Sequence, residues 1–285
     1  MERTLDLGRP AAVTAIALFL ALLPTGARAQ ETTVRIDCTP GRTTELNRAI
    51  EAANDDPGTR WDISLQGGCT YLVTRPFGQV NGLTAVTGEV RIGSRGPSDA
   101  VIARSQTPGT AGFRVLEVEA GGRLTLDRIT VRGGGRVGSG GGVFNNFGTL
   151  VLNYSTLASN HALESGGGLF TNGESATTTL NHSTVRDGSA GFAGGGLFNN
   201  GGTVILESSR IDSNRVTDGV GAGVLNNRGA SRLTLSGSTI TGNEASETAG
   251  GVFNLATVDS TRTLITHNRP NDCAGSPVPV PDCIT

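Results

Sequence analysis

Gly194-Gly-Gly-Leu-Phe-Asn-Asn200 is a glycine-rich phrase that decides the fold, because the chain carries it five times in all. The other copies are Gly140–Asn146, Gly166–Asn172, Gly221–Asn227 and Ala249–Leu255. Successive copies of the Phe or Leu position are 26, 28, 27 and 28 residues apart. A nearly fixed period of this length is typical of a solenoid, in which each repeat forms one coil that stacks on the next.

A second phrase lies within each period and consists of two short strands separated by a polar corner. Its clearest copies are Leu150–Asn160, Val204–Asn214 and Leu233–Asn243. Val, Ile, Leu and Thr alternate there with polar residues, which is the pattern of strands rather than of helices. Together with the strand after the glycines, this pattern predicts an all-β parallel β-helix with three-strand coils of about 27 residues.

Stacking of the coils explains the residue choices within the glycine phrase. Equivalent residues of neighbouring coils lie about 4.8 Å apart, so each position of the phrase forms a column. The aliphatic column, which we expect in the core, is Val143, Leu169, Leu197, Val224 and Val252. Side chains alternate along a strand, so the phenylalanine column should face the other way.

The last Asn of the phrase falls at a corner of the coil. Asn tolerates the left-handed backbone that corners need, and stacked amides can hydrogen-bond up and down a ladder. We therefore predict a structural ladder formed by Asn146, Asn172, Asn200 and Asn227. The alternative, that the glycines cradle a phosphate, would need a helix directly after them, and a strand-like Val-Phe-Asn follows instead.

The N-terminus predicts secretion. A basic residue precedes the apolar run Ala11–Leu23, and Ala27-Arg28-Ala29 offers small residues ahead of a cleavage site. We therefore predict a signal peptide over residues 1–29 and a secreted mature chain that is not inserted in a membrane. An uncleaved anchor helix is the alternative, but the apolar run is short for crossing a bilayer.

Four cysteines fit an oxidising compartment. Cys38 and Cys69 flank the first part of the mature chain, and a proline-rich tail lies between Cys273 and Cys283, which indicates one disulfide at each end. Four cysteines allow three pairings, and the sequence leaves the other two open. A zinc site is a further alternative, although it would require two remote pairs to cluster.

One segment, Thr44–Asn54, has a helical pattern. Its apolar stripe is Leu46, Ala49, Ile50 and Ala53. A solenoid exposes its core and unpaired strand edges at each end, so we expect this helix to cap the N-terminal end, held by a Cys38–Cys69 disulfide. The predicted organisation is a signal peptide at 1–29, a helical cap at 30–60, the parallel β-helix at 61–268 and a disulfide-closed tail at 269–285.

The glycine phrase followed by Ser-Thr-Leu/Ile-x-x-Asn resembles the repeats of right-handed parallel β-helix proteins, above all the polymorphic outer-membrane-protein-like repeats of bacterial secreted proteins. The likeness covers Gly121–Asn268, and it is specific for the fold and not for a chemistry. Cys38 and Leu46–Ile50 are similar to an N-terminal module written Cys-Ser-Leu-Arg-Glu-Ala, although a longer spacer separates them here. The resemblance implies a right-handed coil and an extracellular protein, many of whose relatives are adhesins.

The charge balance argues against nucleic acid as a partner. The formal net charge is −2 at pH 7, which provides no electrostatic footprint for DNA, RNA or an anionic membrane. All 23 basic residues are arginine, a bias that is typical of GC-rich genomes and predicts an actinobacterial source.

A polysaccharide lyase or glycoside hydrolase is the alternative function, because such enzymes occur on parallel β-helices. Their sites need paired acids at a defined separation, or calcium that holds an acidic substrate beside an Arg or Lys base. Stacking of the second phrase gives the polar column Asp127, Asn153, Asn181, Glu207 and Ser236. Three coils separate Asp127 from Glu207, which is about 14 Å and too far for a glycosidase pair.

Acids in the loops after the second phrase form the remaining candidate site. Asp218, Glu247 and Asp272 each fall seven residues after an Ile anchor, which would place them about 5 Å apart in consecutive coils. Like charges so close repel unless solvent or a cation separates them, so calcium or a sugar would be the expected ligand. The alternative is a row of solvated loop carboxylates.

We predict a secreted, monomeric, single-domain protein that binds an extracellular glycan or protein in the manner of an adhesin, without catalysis and without a cofactor other than the calcium considered above. An enzyme should show a groove with convergent carboxylates and Arg, whereas an adhesin should present stacked Asn, Thr and aromatic ladders. His161, His182 and His267 occupy different coil positions, which supports neither a metal site nor a triad. Ice binding would need a flat Thr-x-Thr face, and the threonines do not stack regularly enough.

Overall fold

The computed structural model describes residues 30–39, 42–135, 137–229 and 231–283. These residues form an all-β parallel solenoid of about eight turns with one short helix, α1 (Arg42–Asn54). The predicted fold class is therefore confirmed. The predicted signal peptide at residues 1–29 lies outside the described residues.

The strands are short and follow one another closely along the chain. In chain order they are β1 (Gln30–Ile36), β2 (Thr59–Gln66), β3 (Thr70–Val73), β4 (Glu89–Arg95), β5 (Ala100–Arg104), β6 (Leu116–Val118), β7 (Arg123–Asp127), β8 (Ile129–Arg132), β9 (Val143–Asn146), β10 (Thr149–Asn153), β11 (Thr156–Ala158), β12 (His161–Ala162), β13 (Leu169–Asn172), β14 (Thr177–Asn181), β15 (Thr184–Arg186), β16 (Ser189–Ala190), β17 (Leu197–Asn200), β18 (Thr203–Glu207), β19 (Arg210–Asp212), β20 (Arg215–Val216), β21 (Val224–Asn226), β22 (Arg232–Ser236), β23 (Thr239–Thr241), β24 (Val252–Asn254), β25 (Thr257–Thr261) and β26 (Leu264–Thr266).

Three parallel sheets run along the solenoid. The first sheet has the order β1-β2-β4-β7-β10-β14-β18-β22-β25, the second β26-β23-β19-β15-β11-β8-β5-β3, and the third β24-β21-β17-β13-β9-β6. A small fourth sheet, β12-β16-β20, lies between the second and third sheets along the chain. The sequence pattern does not predict this fourth sheet, because strands of two residues are too short to show an alternation.

The predicted aliphatic column forms the core of the third sheet. Register pairs join Val143 to Leu169, Leu169 to Leu197, Leu197 to Val224 and Val224 to Val252. All five side chains are fully buried. They belong to one hydrophobic cluster that extends from the first coil to the last, so stacking of identical positions builds the core, as predicted.

Left-handed residues turn the chain at the corner between the first and second sheets. The corner residues Arg128, Tyr154, His182 and Ser208 have φ values of 56°, 49°, 49° and 48°. Such values are uncommon outside glycine, so their recurrence in successive coils shows that the corner geometry requires them. A buried serine follows the corner, and the backbone N–H of Ser155 donates to Ser183 Oγ over 3.1 Å, as Ser183 does to Ser209 Oγ. These bonds satisfy backbone groups that the corner removes from the sheets.

The glycines of the repeated phrase lie where neighbouring coils approach each other closely. A Cβ atom on Gly195 would lie 2.4 Å from the Arg215 carbonyl oxygen. Packed protein interiors do not allow so short a contact, so only glycine fits at this place. Strand β17 follows these glycines directly, so the phrase serves coil packing.

Segments at both ends cover the core. The buried apolar residues of α1 are those of the predicted stripe, Leu46, Ala49, Ile50 and Ala53. Strand β1 precedes α1 and pairs with β2, so the segment assigned to the cap also supplies the first strand of the first sheet. Both predicted disulfides, Cys38–Cys69 and Cys273–Cys283, are present. Within the described ranges, no helix is long and apolar enough to cross a membrane.

Candidate functional site

The outward face of the third sheet combines aromatic and amide side chains. In each Val-Phe-Asn-Asn strand, the first and third side chains face the core, and the second and fourth face outward. The outward residues are Phe144, Phe170, Phe198, Leu225 and Phe253 in one column, and Asn146, Asn172, Asn200 and Asn227 in the other. We name this surface the asparagine–phenylalanine face.

The phenylalanine column forms a stack over three coils. The ring centroids of Phe144 and Phe170 are 5.2 Å apart in an edge-to-face arrangement, and those of Phe170 and Phe198 are 4.9 Å apart and nearly parallel. Aromatic pairs of this kind contribute about 0.5–1.5 kcal/mol beyond the burial of their area. Phe144 and Phe198 remain half-buried, so the column also presents apolar surface to solvent.

A buried ion pair closes one end of the phenylalanine column. Glu117 is the register partner of Phe144, and its carboxylate lies 3.1 Å from the guanidinium of Arg114. The Cζ atom of Arg114 lies 4.5 Å from the Phe144 ring centroid, which is a cation–π contact. Burial raises the pKa of Glu117 and lowers that of Arg114, while the attraction between the two charges offsets part of each shift. This acid therefore contacts protein groups at the end of the column rather than an open groove.

The structure joins the four asparagines of the predicted ladder in one chain of hydrogen bonds. Asn172 Nδ2 donates to Asn146 Oδ1, Asn200 Nδ2 to Asn172 Oδ1, and Asn227 Nδ2 to Asn200 Oδ1, each over 2.9 Å. An amide has two N–H donors and two acceptor lone pairs, so a rung that bonds both neighbours keeps one donor and one lone pair. The side chains are partly exposed, which makes this spare capacity available at intervals of about 4.8 Å.

Phe147 borders the ladder at the next position of the chain. Its φ is 64°, and its side chain is 45% exposed. The ring lies against Gly173 of the next coil, since a Cβ atom on Gly173 would be 2.1 Å from Phe147 Cε1. Gly201 follows in the same column, so a strip without side chains continues beyond the ring. The sequence pattern did not indicate Phe147, because glycine occupies the equivalent places in the next two coils.

Sequence reasoning also missed the role of the first Asn of the phrase. Its copies Asn145, Asn199, Asn226 and Asn254 are fully buried. Asn199 Nδ2 donates to the Gly202 carbonyl and to Asn226 Oδ1, each over 2.9 Å, and Asn199 Oδ1 accepts the Gly202 N–H over 3.2 Å. These bonds close the corner between the third and first sheets. The alternation of Val-Phe-Asn-Asn held the signal, since its third position faces the same way as Val.

Two of the three predicted binding acids lie in exposed loops of adjacent coils. The Asp218 N–H donates to the Gly191 carbonyl over 2.8 Å, and the Glu247 N–H donates to the Gly219 carbonyl over 3.0 Å. Both side chains are exposed. Within the residues that the structure describes, no group of three or more His, Cys, Asp and Glu side chains is arranged to hold a metal ion.

Asp272, the third predicted acid, does not join the other two. Its carbonyl accepts the Val252 N–H over 2.9 Å. One coil earlier, the Gly251 carbonyl accepts the equivalent bond from the Val224 N–H. Asp272 therefore holds the place of the last glycine of the phrase, because the final coil has a shorter loop. Its Oδ1 accepts the backbone N–H and the Nδ2 of Asn268 over 2.9 and 2.8 Å.

The polar column of the first sheet has the predicted register. It contains Asp127, Asn153, Asn181, Glu207 and Ser236. Arg91 lies 2.5 Å from Asp127 and 2.9 Å from Asp62, so one guanidinium engages both carboxylates. Carboxylates engaged in this way are poorly placed to transfer protons to a substrate.

The three histidines lie apart from one another. His161 Nδ1 is 2.8 Å from Ser189 Oγ, and His267 Nδ1 is 3.1 Å from Thr266 Oγ1. His182 stacks on Tyr154 with ring centroids 5.0 Å apart at the corner between the first and second sheets. Their hydrogen bonds and stacking serve three separate places on the solenoid.

No protein-family model matches the chain, and no curated protein matches it. The resemblance to polymorphic outer-membrane-protein-like repeats and to the Cys-Ser-Leu-Arg-Glu-Ala module therefore stays a prediction.

Proposed function

We propose that the chain is a secreted, non-enzymatic binding protein of the extracellular space or the cell surface, similar in role to an adhesin, and that the asparagine–phenylalanine face contacts its ligand. One observation carries this proposal. The hydrogen-bonded run from Asn146 to Asn227 presents a partly exposed amide in each of four successive coils, beside a column of apolar side chains. Binding surfaces commonly combine apolar contact with placed polar groups in this way.

The composition of this face favours recognition over catalysis. Amide and phenyl side chains do not ionise near neutral pH, so they cannot act as general acid or base. Glu117 has the raised pKa expected of a catalytic acid, but its carboxylate faces Arg114. The two disulfides support an oxidising destination, which agrees with the predicted signal peptide.

The test is a binding screen of the mature chain, residues 30–285, against a panel of extracellular polysaccharides with and without calcium. Retention of protein and release of reducing or unsaturated ends are recorded in the same samples. We expect retention without product release. We further expect the double variant Asn172→Ala/Asn200→Ala to lose retention.

The matched control is the double variant Asp218→Asn/Glu247→Gln, which changes the exposed loop acids and leaves the asparagine–phenylalanine face intact. We expect this control to bind like the wild type. Product release that the control variant abolishes would overturn the proposal in favour of the lyase or hydrolase alternative. Retention that only the control variant loses would move the binding site to the loops.

A further inference from the structure

We propose that the ligand of the asparagine–phenylalanine face is an uncharged, straight polysaccharide of β-1,4-linked pyranose units that lies along the solenoid axis with one sugar per coil. The inference rests on the proposed function, because it names the ligand class of the same face. Period, charge and shape of the face each support it.

The period of the ladder matches a straight pyranose chain. The rungs from Asn146 to Asn227 repeat with the coil spacing of about 4.8 Å. A β-1,4-linked chain of equatorial linkages advances by slightly more than this length per sugar, and each sugar is turned by about half a turn from the one before. Successive rungs therefore meet successive sugars, through hydroxyls of alternate ring edges. An extended peptide advances by about 3.3 Å per residue and would lose register within two coils. Coiled glycans, such as β-1,3-linked glucose chains, would turn away from a straight ladder.

The charge of the face fits hydroxyl groups rather than carboxylates. Each rung that bonds both neighbours keeps one N–H donor and one lone pair, and a sugar hydroxyl can satisfy both. Glu119 lies beyond one end of the ladder, and Arg228 follows Asn227 at the other. Between them lie amides, aromatic or aliphatic side chains and glycines, and the exposed acid Glu174 follows Gly173. Among the described residues, an acidic glycan would therefore meet Glu174 and no cation along the middle of this face.

The shape beside the ladder suits a flat sugar ring. Phe147 exposes 45% of its surface, and aromatic rings stack well against flat apolar surface such as the C–H face of a pyranose. The ring covers Gly173, and Gly201 holds the following place of this column, so the place next to the ring carries no side chain of its own.

The test is a titration of the mature chain with β-1,4-linked glucose and N-acetylglucosamine oligomers of two to six sugars. We expect the dissociation constant to fall about fivefold with each added sugar, as for one net hydrogen bond per rung. The gain should end at about four sugars, because the ladder spans four coils. Oligomers of β-1,3-linked glucose and of galacturonate, at equal length, should bind no better than a disaccharide.

Variants locate the binding. We expect Asn172→Ala and Asn200→Ala each to weaken binding of the tetramer about fivefold, and Phe147→Ala to weaken it about tenfold. The matched control is Asn181→Ala, because Asn181 donates to Asn153 over the same 2.9 Å on the first sheet. This control should leave the dissociation constant unchanged, and thermal melting of each variant shows that the fold is kept.

The outcomes separate this inference from the proposed function. The protein could instead bind galacturonate oligomers or another protein, and Asn172→Ala and Asn200→Ala could weaken that binding. This outcome would overturn the ligand class and keep the binding face. Binding of the β-1,4-linked oligomers that does not depend on length would overturn the alignment of one sugar per coil. If the protein is a dimer in solution and Asn172→Ala makes it a monomer, the face binds a second copy of the chain instead. Ligand binding that no variant of the face changes would overturn both proposals.

Discussion

Asn199 and Asn200 are neighbours in strand β17, yet their side chains make different kinds of hydrogen bond. Asn199 is fully buried and bonds Gly202 and Asn226. Asn200 faces outward, donates to Asn172 and accepts from Asn227. The first amide is satisfied within the protein, whereas the second keeps a donor and a lone pair that only solvent or a ligand can use.

This difference shows that one repeated dipeptide has two structural roles, a buried one for its first Asn and a partly exposed one for its second. We name the buried Asn145, Asn199, Asn226 and Asn254 the inner column, and the ladder asparagines the outer column. A buried amide without partners costs about 1–3 kcal/mol, so the inner column must complete its hydrogen bonds in every coil. The outer column bears no such constraint, because water satisfies whatever the neighbours leave. The inner asparagines therefore fix the corner between two sheets, and the outer asparagines keep hydrogen-bonding groups that face solvent.

The largest effect on stability is expected from the inner column. Asn199→Ala should lower the free energy of unfolding by about 2–4 kcal/mol, because it removes several buried hydrogen bonds and leaves the Gly202 N–H without a partner. Asn200→Ala should lower it by less than about 1 kcal/mol. Urea unfolding of the two variants beside the wild type checks the contrast, and equal losses would contradict the division between the columns.

A smaller effect is expected where the inner column changes its residue. Thr171 replaces the inner Asn in β13, and its Oγ1 lies 2.8 Å from Thr178 Oγ1, which also accepts from Asn145 Nδ2 over 3.0 Å. The register partners of Thr178 are the aliphatic Leu150 and Val204. Thr178→Val should therefore lower the free energy of unfolding by about 1–2 kcal/mol, since Asn145 Nδ2 and Thr171 Oγ1 each lose a hydrogen-bond partner.

A double-mutant cycle sharpens this prediction. Adding Thr171→Asn to Thr178→Val restores the combination found in the neighbouring coils and should recover part of the loss. Thr179→Val, a half-exposed neighbour on the outward side of the first sheet, is the matched control and should stay within about 0.5 kcal/mol of the wild type. Additive effects in the cycle would show that Thr171 and Thr178 do not act as a pair.

Most of the fold follows from the sequence because its signals repeat. Each position of the glycine phrase samples the same environment in five coils, so Val143 and Phe144 could be assigned to opposite faces from alternation alone. The apolar stripe of α1 and the two disulfides were likewise predicted from local pattern and spacing. Repetition averages out the uncertainty of any single segment.

The asparagine ladder could be predicted because it repeats, whereas other features near the site do not repeat and were missed. Asp272 left its expected column because the final coil has a shorter loop, and counting seven residues from an anchor cannot detect that change. Phe147 occurs once, at a place where the next coils have glycine. The burial of the inner asparagines could have been predicted from the sequence, since alternation places Asn199 on the same side of the strand as Leu197.

The smallest effect on stability is expected at Glu117. This residue stands in the outward column of the third sheet but is buried, so it tests the contrast between buried and exposed positions. Burial raises the pKa of Glu117 above 4.5, so the folded protein binds this proton more tightly than the unfolded chain does. The contribution of Glu117 to the stability of the wild type should therefore fall as the pH rises from about 4.5 through the raised pKa, and level off above it.

The Glu117→Gln variant lacks this titration, so the difference in unfolding free energy, variant minus wild type, should increase over that range of pH and then stay constant. Urea unfolding of both proteins between about pH 4 and 8 measures the difference, in which the titrations of other acids cancel. A difference that decreases with pH would mean that attraction to Arg114 outweighs the cost of burial. Glu117 would then be a stabilising partner of Arg114, and the outward column would include a charge that is satisfied as fully as the amide of Asn199.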